Sequence, residues 1–208
     1  PELYKDKMII IKPLVREKVY NSNISKQTNK KFTLLIVGGS QGANIFDKNL
    51  KNAIANISKR KSIKVIHQTN EKNIVDLSKF YGGNNIENKI FSFDENFINT
   101  IQQADLCITR AGASTLAELS VLNIPFIAVP LPTSKDNHQL ENALFYKNND
   151  CCWIIEQNHF EGEIERVLDE IFEDKINFLK KKENLKKLNY QNSWINVNQK
   201  IIKTINEN

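Results

Sequence analysis

Short apolar runs alternate with helix-patterned segments along most of this chain, and twice the passage from run to helix goes through a glycine turn. The first junction is Val37-Gly38-Gly39-Ser40-Gln41-Gly42-Ala43. The second is Arg110-Ala111-Gly112-Ala113-Ser114-Thr115-Leu116-Ala117-Glu118-Leu119, directly after the apolar run Leu106-Cys107-Ile108. Run, tight turn and helix start, repeated, is the pattern of βα units, and successive units build a doubly wound parallel sheet of the Rossmann-like α/β class. In such sheets ligands bind beyond the carboxyl ends of the strands, where both junctions fall.

The elements follow from periodicity. Phe32 to Val37 is a continuous apolar run and reads as a buried strand. Ala43 to Ile57 carries Ile45, Phe46, Leu50, Ala53, Ile54 and Ile57 at helical spacing. Further strands are expected over 63–67, 90–93, 105–109, 125–129 and 152–155. Helices are expected over 71–80, 97–104, 114–122 and 138–147, with a turn at Gly82-Gly83-Asn84-Asn85 and helical structure from Phe160 onward. Residues 1–31 read as a leading segment and interdomain linker, 32–190 as the ligand-binding domain, and 191–208 as a separate C-terminal helix. That helix is apolar at Trp194, Ile195, Val197, Ile201, Ile202 and Ile205, so it needs a surface to pack against.

Bulk properties narrow the class. A length of 208 residues suits one domain with a small appendage. No apolar run approaches the ~20 residues that span a bilayer, and the opening Pro1-Glu2-Leu3-Tyr4-Lys5 has no secretory apolar core. The absence of an initiator Met fits a piece of a longer protein. The three cysteines, Cys107, Cys151 and Cys152, lack zinc spacing and read as reduced buried thiols. The net charge of +5 owes much to Lys180-Lys181-Lys182 and Lys186-Lys187. Interspersed Glu and Asn make these a solvated helix face with a weak attraction to anionic membrane, and no aromatic-interleaved basic motif points to nucleic acid.

The chemistry concentrates at the two junctions. A glycine turn that opens a helix aims unpaired N–H groups and the positive end of a helix dipole at one spot, which suits a phosphate. Two such spots in one domain suit a diphosphate. Ser40 can offer a hydroxyl to it or cap the helix. Thr115-x-x-Glu118 is a capping box by pattern. Alternatively, Glu118 faces the ligand and accepts two hydrogen bonds from a ribose diol. The loop 130–139, dense in amide, hydroxyl and carboxyl groups, suits sugar hydroxyls, or is a polar loop in which Asn137 caps the next helix. His67 and His138 are candidate bases, although a histidine at a strand end is more often a hydrogen-bonded structural group. No Asp-x-Asp occurs, so no metal-chelating diphosphate site is expected and helix N-termini carry the neutralisation.

Taken in order, these stretches resemble the MurG family, bacterial UDP-N-acetylglucosamine transferases of peptidoglycan synthesis. The matching pieces are Leu35 to Ala43, His67-Gln68-Thr69, Ala104-Asp105-Leu106, Arg110 to Leu119, Pro125, Val129-Pro130-Leu131-Pro132, and Asp136-Asn137-His138-Gln139-x-x-Asn142-Ala143. The resemblance implies one half of a two-domain GT-B glycosyltransferase fold, the C-terminal, donor-binding half. It implies that Ser40, Gln41 and Gly42 lie near the diphosphate or sugar. Ala113, Ser114, Thr115, Leu116, Ala117 and Glu118 would cradle the nucleotide, with Glu118 on the ribose. The backbone around Phe93 and Asp94 would read uracil, and Gln139 with Asn142 would hold the N-acetylglucosamine. Arg16 would belong to the same donor-binding set: in Pro13-Leu14-Val15-Arg16 it matches the family's Pro-Val-Arg with one residue inserted, and the family's preceding Gly-Asn is Ile11-Lys12 here.

The implied reaction is inverting: the C4 hydroxyl of the muramyl sugar in lipid I attacks the anomeric carbon and UDP leaves, giving lipid II. It needs no cofactor. The general base, the acceptor site and the apolar membrane patch belong to the family's N-terminal half, so no catalytic residue is expected in this chain. The protein would work peripherally on the cytoplasmic face of the inner membrane. Two rivals share the donor: a UDP-N-acetylglucosamine 2-epimerase, and a non-catalytic donor-binding subunit of a split transferase.

Overall fold

The computed structural model describes residues 11–21, 31–39, 44–188 and 192–206. Six parallel strands form one sheet: β1 (Phe32–Val37), β2 (Ile63–Gln68), β3 (Glu87–Phe91), β4 (Leu106–Thr109), β5 (Phe126–Ala128) and β6 (Cys152–Ile154). Their order is β3-β2-β1-β4-β5-β6, parallel throughout. The chain therefore winds outward from β1 in one direction and from β4 in the other. Neighbouring crossovers diverge between these two strands, which leaves a crevice at their carboxyl ends. Both glycine junctions open there.

The central strands are buried on both faces, and their side chains alternate between two cores. Leu35, Val37, Cys107, Phe126 and Ala128 face one apolar cluster. Leu34, Ile36, Leu106, Ile108 and Ile127 face the other. This period of two explains why the runs read as continuously apolar: each successive residue enters a different core. The second cluster is closed by α2 (Asn44–Ser58), α3 (Ile74–Gly83) and α7 (Phe160–Glu173), through Phe46, Leu50, Tyr81, Phe160 and Ile164. The first is closed by α4 (Phe97–Ile101), α5 (Ala113–Val121) and α6 (His138–Asn148). Burying each Leu or Ile contributes roughly 1.5–3 kcal/mol against the chain entropy.

Of the leading segment, the described residues 11–21 are bound to this domain. Within it α1 (Glu17–Tyr20) is a single turn, yet Val15 and Val19 are buried in the first core with Leu116 and Leu119. Val15 N–H donates to Asn192 O at 3.1 Å, and Asn192 N–H donates to the Tyr20 hydroxyl at 2.8 Å. The segment before β1 thus meets the segment that enters α9 (Trp194–Asn206). Only Val197 of α9 is buried; Trp194, Ile195, Ile202 and Ile205 stand exposed.

The solvated lysine face expected of 180–187 needs one correction. In α8 (Lys175–Lys187), Lys181 is buried. Its ammonium donates to Asp150 Oδ1 at 2.5 Å and lies over the Trp153 ring. Lys180 reaches the other oxygen of Asp150 at 2.9 Å. Together they hold that carboxyl down at about 2, the Lys181 hydrogen bond being the larger cause. A basic helix docks because its one inward lysine finds an anion and an aromatic face. Among the described residues, no helix is long and apolar enough to cross a membrane.

Candidate functional site

The crevice between β1 and β4 is a cleft of about 590 Å³. Gly38, Gly39, Arg110, Gly112 and Thr115 line it from the two junctions; Ser134, Lys135, His138 and Gln139 line it from the β5–α6 loop and the start of α6. Gly39 sits at φ +73°, a conformation L side chains rarely adopt, so the turn after β1 needs glycine. Gly112 is the N-cap of α5 and, lacking a side chain, supplies no cap. The first turn of that nine-residue helix therefore presents its positive end to the cleft.

Charge in the cleft is one-sided. Among the described residues its lining includes Arg110 and Lys135 and no carboxylate. Arg110 is held in place by polar and aromatic neighbours. Its Nη2 donates to Gln157 Oε1 at 2.6 Å, Nη1 donates to Val129 O at 3.2 Å, and the guanidinium lies over Phe46. Burial lowers its pKa, as expected of a partly desolvated cation. Sequence reasoning gave Arg110 no role. The signal was there in the basic residue that directly follows β4 and precedes the glycine turn.

Glu118 is only 5% exposed and bonded away from its own helix end. Arg16 Nε donates to its Oε1 at 2.6 Å, and Arg16 Nη2 donates to Oε2 at 2.9 Å. The hydrogen bond to Glu118 raises the Arg16 pKa, with burial opposing it. The capping box does not form. Helix α5 begins at Ala113, so Thr115 is its third residue rather than its cap.

The other expected residues divide. Thr115 lines the cleft, Ser114 is exposed beside it, and Ala113 borders a smaller pocket of about 190 Å³. Leu116 and Ala117 are wholly buried, and Leu116 N–H is spent on Gly112 O. Their side chains pack the helix onto the core and present none to a ligand. Gln139 lines the cleft, and its side-chain oxygen accepts from Leu131 N–H at 3.0 Å. Asn142 lies one turn further along α6, borders the smaller pocket, and donates to Ala111 O at 3.0 Å. It therefore ties α6 to the turn before α5.

Phe93 and Asp94 follow β3 at the same edge of the sheet. Phe93 is 77% exposed. Asp94 accepts from Thr100 Oγ1 at 2.6 Å and Lys89 Nζ at 2.9 Å, which lower its pKa, the Thr100 bond most. It thereby fixes the loop that carries Phe93. Ser40, Gln41 and Gly42 lie outside the described residues.

The histidines separate cleanly. His67 is fully buried: Nε2 lies 3.1 Å from Asp47 Oδ1, and Nδ1 lies 3.2 Å from the Tyr81 hydroxyl. Asp47 also accepts from Thr69 and Asn73; burial raises its pKa, but these bonds and His67 hold it below the usual value. This network fixes the first turn of α2 to β2 and α3, a structural role. His138 lines the cleft and is exposed, its Nδ1 2.7 Å from Lys135 O. Asn137 takes the position before α6 in a left-handed conformation at φ 53°, next to Asp136 at 50°, and its side chain caps nothing, contrary to the expected N-cap. Among the described residues no group of His, Cys, Asp or Glu side chains is arranged to hold a metal ion.

A doubly wound sheet with a cationic crevice at its point of divergence defines the class: an α/β domain suited to an anionic ligand. Residues 33–195 match the model of the glycosyltransferase family 28 C-terminal domain. The chain is 44% identical over its whole length to the UDP-N-acetylglucosamine–N-acetylmuramyl-(pentapeptide) pyrophosphoryl-undecaprenol N-acetylglucosamine transferase of Pelagibacter ubique, covering 59% of that protein. It is 32% identical to the transferase of the same description from Rickettsia felis, over 85% of this chain and 52% of that one. Among solved structures it resembles Acinetobacter baumannii MurG, with a TM-score of 0.69 and 25% identity over 84% of this chain and 49% of that one. It also shares the fold of a Neisseria meningitidis UDP-GlcNAc 2-epimerase bound to UDP-GlcNAc, at a TM-score of 0.60 and 13% identity, over 92% of this chain and 48% of that one. The chain belongs to glycosyltransferase family 28, of which it is the C-terminal domain, and it spans between half and three-fifths of the length of these transferase relatives.

Proposed function

We propose that this domain binds UDP-N-acetylglucosamine and, with the rest of the protein, transfers the sugar to the C4 hydroxyl of the muramyl residue of lipid I, giving lipid II. The observation that carries the reading is the cleft itself: Arg110, Lys135 and the start of α5 converge on a space with no lining carboxylate. Such a space favours a diphosphate.

In this reading the diphosphate rests against Gly38, Gly39 and the first turn of α5. Ala113 to Thr115 offer backbone N–H groups, and Glu118 accepts from the ribose. The loop of Phe93 and Asp94 receives the uracil, and Gln139, backed by Asn142, meets the sugar. Transfer forms the bond from the acceptor oxygen to the anomeric carbon as the bond to the β-phosphate oxygen breaks. Negative charge grows on departing UDP, where Arg110 and the α5 dipole are already oriented to meet it. The base that takes the acceptor's proton belongs to the N-terminal half, as do the lipid acceptor site and the main contact with the cytoplasmic membrane surface. Segments 12–20 and α9, joined at Asn192, face that half, and the exposed apolar residues of α9 pack toward it.

The whole-chain similarity to the transferases favours this over the epimerase reading, for which the fold alone speaks. Titration calorimetry of the 208-residue chain with UDP-N-acetylglucosamine, UDP-glucose and UDP tests it. All three are expected to bind, the first most tightly, with no transfer to acceptor until the N-terminal half is supplied. Equal binding of all three contradicts the sugar-reading role of Gln139, and transfer by the chain alone contradicts the division of labour.

A further inference from the structure

The cation that lines the cleft after β4 is oriented by neutral oxygens. Arg110 Nη2 donates to Gln157 Oε1 at 2.6 Å, and Nη1 donates to Val129 O at 3.2 Å and Pro130 O at 3.5 Å. All three acceptors are amide oxygens. A carboxylate in any of these places would bind the guanidinium more strongly and would cancel the field it offers an anion. An amide oxygen fixes its direction and leaves its charge. Two of the three belong to the backbone and are present whatever residue stands there. Gln157 is the one whose identity decides whether the cation is neutralised.

The Gln157 side chain starts from a fixed point. It opens the short turn Gln157–His159 between β6 and α7. Just before it, Ile155 is buried and its N–H donates to Ala128 O at 3.1 Å. Just after it, Phe160 is fully buried and packs on Phe46, with ring centres 5.3 Å apart. Arg110 lies over that same Phe46 ring, 5.4 Å from its centre. Donor and acceptor, 47 positions apart in the chain, are thus mounted on one apolar scaffold. Gln157 itself does not line the cleft.

We infer that Gln157 is a positioning residue of the diphosphate subsite: it aims the Arg110 guanidinium through a neutral acceptor, so that the full charge remains for the β-phosphate, without touching the nucleotide itself. The inference rests on the reading of the cleft as a diphosphate site.

The experiment is calorimetric titration of the 208-residue chain with UDP and with UMP, in the wild type, Q157A, Q157E, R110A and R110A/Q157A, each checked by thermal melting. Wild type should prefer UDP. Q157A should lower that preference by about 3–10-fold, the scale of one hydrogen bond, and leave UMP within about twofold. Q157E keeps the shape and the bond but pairs the charge, and should lower the preference by about tenfold or more. In the R110A background, Q157A should change UDP affinity by less than about twofold, because the residue acts through Arg110. A merely structural glutamine would shift the melting temperature and leave the UDP-to-UMP ratio alone. An unchanged ratio in Q157A and Q157E overturns the inference. So does an undiminished effect of Q157A without Arg110, or tighter UDP binding by Q157A, which would make Gln157 a competitor for the cation. If the Arg110 variants do not fold, the ratios in Q157A and Q157E decide; if Q157A does not fold, the isosteric Q157E decides. Absence of UDP binding by the wild type, or of any preference over UMP, instead removes the diphosphate reading of the cleft, and the inference with it.

Discussion

Gln139 spends its carbonyl inside the protein. Its Oε1 accepts from Leu131 N–H at 3.0 Å, leaving the amide N–H groups as what it can offer the cleft. The substitution Gln139→Glu keeps an acceptor for Leu131 and removes the donors. It also brings a carboxylate into the cleft, so UDP affinity is expected to fall, and the preference for UDP-N-acetylglucosamine over UDP to drop by about 2–12-fold, the range of one neutral hydrogen bond. Paired titrations of the two ligands give the ratio.

Asp150 joins the β6 side of the sheet to α8 through Lys181 and Lys180. Its carboxyl titrates at about 2 in the folded protein, below its ordinary 3.8. A carboxyl depressed on folding adds stability that is full above the unfolded value and is lost as pH falls through the folded one. This contribution should therefore be constant from neutrality to about pH 4 and fade between about pH 4 and 2. Asp150→Asn leaves Lys181 buried without its anion and should cost about 1–3 kcal/mol at pH 7. Urea unfolding of both proteins at pH 7 and pH 3 should show the difference shrinking at the lower value.

The three thiols are buried and free, and burial pushes Cys151 up to about 11 and Cys152 up to about 12, with Cys107 raised further. Thiolate is the reactive form. A disulfide reagent at pH 8 should label none of them in the native protein and all three in denaturant. Rapid native labelling at Cys151 would contradict its placement.

His67 bridges Asp47 and Tyr81. His67→Ala strands two buried polar groups and should lower stability by about 1–3 kcal/mol. UDP affinity below the melting transition should stay within about twofold, since the ring does not line the cleft. Loss of binding in a folded variant would give the histidine a role at the site.

The fold was legible where burial is two-sided. Strands β1 and β4 lie at the sheet centre, so every residue is apolar or small, and both runs stand out. Strand β3 reads from Ile90 in the sequence but begins at Glu87, because it is an edge strand that pairs only with β2 and keeps Glu87 and Lys89 outward. The first glycine turn was legible because the backbone at Gly39, with φ +73°, restricts composition, whereas Gly112 at φ −68° is not required by its backbone. The Arg16–Glu118 pair was not, since nothing local marks a contact across 102 residues. The same holds for buried Lys181, whose neighbours in sequence are solvated and whose partner lies 31 residues away.

The central claim is that the donor occupies the crevice between β1 and β4. Amide chemical-shift mapping of the 208-residue chain on addition of UDP-N-acetylglucosamine tests it most directly. The account predicts that the largest shifts fall at Gly38, Gly39, Gly112, Ser114 and Thr115, with a second group at Ser134 to Gln139. Shifts confined to the smaller pocket beside Phe145, or none at millimolar ligand, would contradict it.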